Sequence, residues 1–161
     1  MTAEPQANTP KPTGLVPVDW RSVHHQLHAN AGHAPSRIAL QPVDGGEGLS
    51  WGGLATHANR IAHWLKSIGV GANDRIAVLG GNSLEHLILY YGIQAYGATY
   101  CVVNVEVNQA HLAEMLERME PGIVLYDETL DSAVPEAGSA GRWIRFGRHD
   151  AAPGDGGDEL F

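Results

Sequence analysis

The sequence is short of cysteine and of basic residues, and each shortage excludes a class of function. Its single cysteine, Cys101, has no partner for an intramolecular disulfide, which favours a protein of the reducing cytoplasm. Lys11 and Lys66 are its only lysines, and its formal net charge is -8. Proteins bind nucleic acids mainly by neutralising phosphates with Lys and Arg, so we expect no nucleic-acid partner.

The chain also lacks a long apolar run. Residues 1–18 contain four prolines and no apolar signal-peptide core, so they are predicted to form a disordered leader and not a signal peptide or a transmembrane span. Residues 147–161 are rich in Gly and Asp and are predicted to form a flexible tail. Hydrophobic residues make up 43% of the sequence, which is enough for one domain, predicted at residues 19–146.

Helical and extended patterns alternate along this predicted domain. Apolar residues at helical spacing predict helices, and continuous short apolar runs predict strands that are covered on both faces. Short connections between them favour right-handed crossovers, so the predicted fold class is α/β, with a doubly wound, mainly parallel sheet and flanking helices. The predicted order is helix 19–31, hairpin strands 37–43 and 49–51, helix 54–68, strand 76–79, helix 83–96, strand 99–103, helix 109–119 and strand 123–126.

Two glycines follow the predicted strand 76–79. Gly80 and Gly81 precede a helix, and a helix N-terminus at the carboxyl end of a parallel strand can bind a phosphate. The G-x-x-x-x-G-K-[ST] and G-x-G-x-x-G patterns that such sites use are absent. Asn82 and Glu85 have the spacing of a capping box with Asn82 as the cap, so a structural turn is predicted. A small nucleotide-binding protein that uses the two glycines is a weaker alternative.

Four histidines lie in or near the first predicted helix. His24 and His28 are spaced i, i+4, with His25 adjacent and His33 downstream, and two imidazoles on one helical face can chelate a metal. No carboxylate or thiol accompanies them at ligand spacing beyond Asp19, which is predicted to cap the helix. A solvent-exposed helix face is therefore the favoured interpretation.

The remaining reactive side chains fit no catalytic pattern. Cys101 lies in an apolar run and is predicted to be a small buried hydrophobe. Glu114, Glu117 and Glu120 are predicted to form a solvated helix surface. No H-E-x-x-H or C-x-x-C pattern occurs, and no catalytic, cofactor-binding or metal-binding residue is predicted.

Three segments in this order resemble the adenylate-forming, AMP-binding enzymes. They are 48–54 (GLSWGGL) with the ANRIA helix at 58–62, 71–78 (GANDRIAV) and 96–104 (YGATYCVVN). The family includes acyl-CoA synthetases, luciferases and peptide-synthetase adenylation domains, and the resemblance covers residues 19–127. It implies that the chain is the N-terminal part of such an enzyme, most like the acid-CoA ligases, and that the acid substrate, ATP, Mg and CoA are used by the complete enzyme.

The resemblance also implies what this segment lacks. In the family, the Ser/Thr/Gly-rich loop ending in Pro-Lys-Gly and a later catalytic lysine come further along the chain, and neither Lys11 nor Lys66 lies on such a loop. The segment alone is therefore predicted to be inactive. Gly52 and Gly53 open a helix where the family has a capping Glu, and Val102 replaces a proline, which predicts altered turns at both places.

An alternative function is a noncatalytic interaction domain or truncated remnant. Helix 83–96 is apolar around most of its circumference, so it is predicted to need a cover, which a partner or a second copy could supply. Asn104 and Glu106 follow a strand and could face a cleft, although a structural turn is favoured for both.

Overall fold

The protein is described by a computed structural model that covers residues 22–103, 109–133, 141–147 and 159–160. The helices are α1 (Val23–His33), α2 (Trp51–Ser67), α3 (Leu84–Tyr96) and α4 (Gln109–Met119), and a 3-10 helix spans Glu128–Ala133. The strands are β1 (Ile38–Leu40), β2 (Leu49–Ser50), β3 (Arg75–Leu79), β4 (Thr99–Val103), β5 (Ile123–Asp127), β6 (Arg142–Phe146) and β7 (Glu159–Leu160).

The main sheet is parallel throughout, with strand order β4-β3-β5-β6-β7. The chain moves from β3 to the edge strand β4 on one side, and then crosses back to β5 on the other side of β3. Strands β1 and β2 form a separate antiparallel pair. The predicted α/β class with a mainly parallel sheet is therefore confirmed.

Helices pack on both faces of the sheet and form two apolar clusters. The larger cluster joins α1, α2 and α3 to one face, and the smaller joins α4 to the other face. Side chains of β3 alternate between the clusters, because successive residues of a strand point to opposite faces. Ile76 and Val78 belong to the first cluster, and Ala77 and Leu79 belong to the second.

Helix α3 is covered from within the chain. Its buried residues Ile88, Leu89 and Ile93 belong to the larger cluster, together with Leu54 and Ile61 of α2. A Cβ built on Gly92 would lie 2.6 Å from Ile61 Cβ, so the two helices are in close contact at this glycine. The apolar circumference of α3 thus reflects burial between α2 and the sheet and no longer argues for an external partner.

Serine side chains cap the first three helices. Ser22, Ser50 and Ser83 each have extended backbone angles and accept a hydrogen bond from the N–H three residues later. Helix α1 begins at Val23, so the prediction that it starts at Asp19 is wrong, and Asp19 itself lies outside the described residues.

Helix α2 is longer than predicted at its N-terminus. It begins at Trp51 and includes Gly52, whose N–H donates to the Pro35 carbonyl over 2.9 Å. The Ser50 cap and this contact fix the first turn despite two helix-disfavouring glycines. At the other end the cap is Ile68, and Gly69 follows it with φ of 82°, which a glycine adopts without strain.

Two strands of the sheet were not predicted from the sequence pattern. Strand β6 has the sequence Arg-Trp-Ile-Arg-Phe, whose two arginines interrupt the apolar run that a covered strand usually shows. Strand β7 has only two residues and pairs with the end of β6. Within the described residues, no helix is long and apolar enough to cross a membrane.

Candidate functional site

The carboxyl ends of β3 and β5 form the candidate site. These adjacent strands are followed by connections that leave in opposite directions, to β4 and to β6. In open α/β sheets, ligands bind at such a switch point, in the crevice outside the carboxyl ends of the strands. Gly80 follows β3 there, and Asp127 ends β5.

Gly80 is packed closely at this point. A Cβ built on it would lie 3.0 Å from Phe146 Cζ and 3.5 Å from both Asp127 Cβ and His86 Nδ1. The aromatic ring and the imidazole therefore occupy the space directly beside the glycine. Gly81, by contrast, is exposed and has no atom within 4 Å of a built Cβ.

The N-terminus of α3 lies beside these glycines. Ser83 Oγ accepts from His86 N over 3.1 Å, and Ser83 O accepts from Leu87 N over 3.3 Å. The prediction that Asn82 caps α3 is therefore wrong, because the helix starts one residue later than a cap at Asn82 requires. Glu85 is then the second residue of the helix and His86 the third, which breaks the predicted capping-box spacing.

His86 is the one charged or polar side chain in the buried core of the described residues, with 7% exposure. Its Nδ1 lies 3.0 Å from the Gly81 carbonyl, and its Nε2 lies 2.5 Å from the Tyr100 hydroxyl. A carbonyl only accepts, so Nδ1 carries the hydrogen and donates, and Nε2 accepts from Tyr100. The ring thus joins the glycine turn to β4 through both of its nitrogens.

The Tyr100 hydroxyl is held in its neutral form. Burial, and to a smaller extent the neighbouring Tyr90, raises the pKa of Tyr100 to about 12. The Tyr90 and Tyr100 rings pack edge to face, with their centroids 5.2 Å apart. A phenol with so high a pKa is a hydrogen-bond donor and not a base at neutral pH.

Asp127 is engaged with the segment that follows it. Its Oδ1 accepts from Thr129 N over 2.9 Å and from Thr129 Oγ1 over 2.6 Å, which starts the 3-10 helix. The edge of the sheet thus presents a carboxylate and an imidazole beside the N-terminus of α3. Lys66, the one lysine in the described part of the chain, lies in the last turn of α2. This combination does not provide the cationic setting of a phosphate site.

Two of the first-helix histidines, His24 and His28, are partly buried, unlike the predicted solvent-exposed face. Their rings are 4.4 Å apart, and His28 Nε2 lies 3.2 Å from Asn59 Oδ1 of α2. His24 Nδ1 is shielded from solvent and has no hydrogen-bond partner among the described residues. Burial, followed by the nearby His28 and His25, lowers the pKa of His24.

The other singled-out residues are dispersed. Cys101 is half-buried on β4, where burial raises the pKa of its thiol, so it lacks the environment of a nucleophile. The predicted solvated surface of α4 is borne out in the exposure of Glu114, Glu117 and Glu120. Asn104, Glu106 and Lys11 lie outside the described residues, and no group of three or more His, Cys, Asp or Glu side chains within the described ranges is placed to hold a metal.

Sequence reasoning missed the roles of Ser83, His86 and Tyr100. A histidine in an otherwise apolar helix, three residues after a serine, is a signal that could have indicated a capped turn with a buried imidazole. The Tyr100 contact carries no such signal, because it joins residues 14 positions apart on different elements.

The sheet order and the switch point define a doubly wound α/β protein of the class that binds ligands at the carboxyl edge of its sheet. Comparison with known families is more specific: the family model described as AMP-binding enzyme matches residues 27–151. The chain therefore belongs to the AMP-binding enzyme family, which confirms the resemblance seen in the sequence.

Relatives with different activities share this similarity. A component of the linear gramicidin synthase of Brevibacillus parabrevis is 32% identical over 122 residues, which cover 75% of this chain and 2% of that protein. The long-chain-fatty-acid–CoA ligase of Thermus thermophilus is 33% identical over 73 residues, covering 45% of this chain and 14% of that protein. This chain thus spans a small part of the curated relatives that it matches.

A solved structure shows the same fold. The fatty acyl CoA synthetase of Mycobacterium tuberculosis superposes with a TM-score of 0.68 and 23% identity, over 77% of this chain and 26% of that chain. The described sheet and helices thus have the architecture of a part of that synthetase.

Proposed function

We propose that this chain is the opening α/β segment of an ATP-dependent acid-CoA ligase of the cytoplasm. Such an enzyme joins a carboxylic acid to AMP with release of pyrophosphate, and then passes the acyl group to the thiol of CoA. The observation that carries the proposal is the family match over residues 27–151, on a chain with the doubly wound sheet described above. The similarity to the Thermus thermophilus ligase supports CoA as the acceptor of the acyl group.

We propose further that the segment does not adenylate an acid by itself. The reaction places negative charge on the departing pyrophosphate, and enzymes stabilise that charge with fixed cations. Lys66 lies in the last turn of α2, and the Arg75 guanidinium donates to the Met119 carbonyl over 2.7 Å at the amino end of β3. Neither side chain lies at the carboxyl end of β3, so ATP, Mg and CoA are assigned to the complete enzyme.

Pyrophosphate release tests this part of the proposal. The purified 161-residue chain is incubated with ATP, magnesium chloride and a panel of fatty, aromatic and amino acids. We expect no acid-dependent release above the rate without acid. The Thermus thermophilus ligase serves as the active control, and acid-dependent release by this chain would contradict the proposed inactivity.

A second candidate is the activation of an amino acid in a peptide synthetase. The match to the gramicidin synthase favours it, because that match extends over 122 residues, against 73 for the ligase. Both candidates activate a carboxylate with ATP and differ in the acid and in the acceptor of the acyl group.

The coding region beyond Phe161 tests both candidates, and the activity of the longer protein that it encodes separates them. A reading frame that continues into a Ser/Thr/Gly-rich loop ending in Pro-Lys-Gly would support both candidates, and an immediate stop codon would contradict both. The product of the longer frame is then assayed with fatty acids and CoA and with amino acids. Formation of acyl-CoA supports the ligase, and pyrophosphate release with amino acids alone supports the second candidate.

A further inference from the structure

The partly buried histidines at the contact between α1 and α2 are not used by the proposed function. His24 and His28 lie one turn apart on α1, and His28 contacts Asn59 of α2. An imidazole pair on a surface helix usually keeps its nitrogens hydrated. Here one nitrogen, His24 Nδ1, is shielded from solvent and lacks a hydrogen-bond partner among the described residues. A buried polar atom without a partner is costly and calls for a physical explanation.

The spacing of the two rings fits a shared metal ion. With metal–nitrogen bonds of about 2.0–2.1 Å and angles of about 90–110°, two imidazoles on one metal place their ring centroids about 4.5–5.2 Å apart. The observed centroid distance is 4.4 Å, with an angle of 63° between the ring planes. This distance is close to that range, so the two rings are near enough to share one ion.

Asn59 prepares one of these rings for binding. Its Oδ1 is an acceptor, so His28 Nε2 carries the hydrogen and donates it over 3.2 Å, which leaves His28 Nδ1 with its lone pair. Metal-binding histidines commonly donate their second ring N–H to an oxygen acceptor in this way, which fixes the tautomer and the ring orientation. The amide oxygen thus acts on His28 as such a supporting acceptor.

We propose that His24 and His28 bind a divalent transition-metal ion of the kind that prefers imidazole, such as Zn²⁺, at the junction of α1 and α2. The ion accepts the lone pair of the unpartnered His24 nitrogen. Water completes the coordination of the ion, because no third His, Cys, Asp or Glu ligand accompanies the two histidines in the described part of the chain. The site does not depend on the proposed ligase function.

Calorimetric titration of the full 161-residue chain with zinc chloride tests the site. We expect saturable binding of one equivalent of zinc and a rise in the melting temperature with zinc concentration, because a ligand that binds only the folded state stabilises it. His24→Ala and His28→Ala should each weaken binding by more than about tenfold, and Asn59→Ala by about tenfold. Far-UV circular dichroism verifies that each variant is folded. If the alanine variant of either histidine does not fold, His24→Gln or His28→Gln takes its place.

The matched control is His33→Ala, which removes an exposed imidazole from the last turn of the same helix. It should leave zinc affinity unchanged. Unchanged affinity in both His24→Ala and His28→Ala would overturn the site. An equal loss of affinity in His33→Ala would overturn it as well, because binding would then be a general property of the exposed histidines.

Discussion

The Tyr100 hydroxyl donates to His86 Nε2 over 2.5 Å, and this bond ties β4 to the first turn of α3. The opposite nitrogen of the same ring donates to the Gly81 carbonyl over 3.0 Å. Together the two bonds fix the glycine turn at the carboxyl end of β3 against its neighbouring strand. The turn that resembled a phosphate cradle in sequence is thus stabilised by groups of the protein itself.

Loss of the Tyr100 hydroxyl should destabilise the fold. Tyr100→Phe leaves His86 Nε2, a buried acceptor, without its donor, and such an unsatisfied group costs about 1–3 kcal/mol. The change is measured as the free energy of unfolding in urea. Tyr90→Phe is the matched control, because its hydroxyl makes no hydrogen bond within the described residues and its ring is in edge contact with that of Tyr100. Equal losses in the two variants would contradict the role given to the Tyr100–His86 bond.

Stability should also fall in alkaline solution. The pKa of Tyr100 is raised from 10.0 to about 12 in the folded protein. Below pH 10 the tyrosine is protonated in both the folded and the unfolded state. Above pH 10 the unfolded state loses its proton first, so the free energy of unfolding decreases between about pH 10 and 12. Unfolding free energies measured across this window should fall less steeply for Tyr100→Phe. Tyr91, whose pKa burial also raises, accounts for part of the remaining slope.

The sequence predicted the sheet well where burial alone decides structure. β3 and β5 are short apolar runs covered on both faces, whereas β4 is an edge strand whose Val102 is exposed. All three strands lie within one residue of their predicted positions. β6 was not predicted because Arg142 and Arg145 interrupt its apolar residues, and the strand forms by pairing with β5. Pairing of distant residues cannot be derived from local periodicity.

The candidate site was predicted less completely than the sheet. The absence of a phosphate-binding pattern pointed to a structural turn, and the packed surroundings of Gly80 agree with that interpretation. The cap was assigned to Asn82 instead of Ser83, because two adjacent residues both suit a helix start and backbone angles decide between them. The partial burial of His28 accompanies its contact with Asn59 of α2, which helical spacing does not describe.

The corrected cap of α3 can be tested directly. Ser83→Ala removes the acceptor for His86 N and should reduce the free energy of unfolding by about 1 kcal/mol. Asn82→Ala alters an exposed residue outside the helix and should change it by less than about 0.5 kcal/mol. Chemical denaturation of both variants provides the comparison. A larger loss in Asn82→Ala would restore the capping assignment made from sequence.

The close contact of α2 with α3 predicts opposite effects for two Gly-to-Ala substitutions. A Cβ at Gly92 would lie 2.6 Å from both Cβ and Cγ2 of Ile61, a branched side chain whose Cβ cannot move away without the backbone. Gly92→Ala should therefore lower the free energy of unfolding by about 1–2 kcal/mol, although alanine is the better helix former. Gly32→Ala, on α1, meets no atom within 4 Å and should stabilise the protein by up to about 1 kcal/mol.

Thermal and urea unfolding of both variants measure the difference. Both substitutions replace glycine by alanine in a helix and so make the same change in intrinsic helix propensity. The difference between their effects on the free energy of unfolding therefore reports the packing cost at Ile61. The double variant Gly92→Ala with Ile61→Ala separates steric overlap from other causes, since shortening Ile61 removes the atoms beyond Cβ that the new methyl group meets. In that background Gly92→Ala should cost less than it does in the parent chain. An undiminished cost would show that the loss does not arise from contact with the Ile61 atoms beyond Cβ.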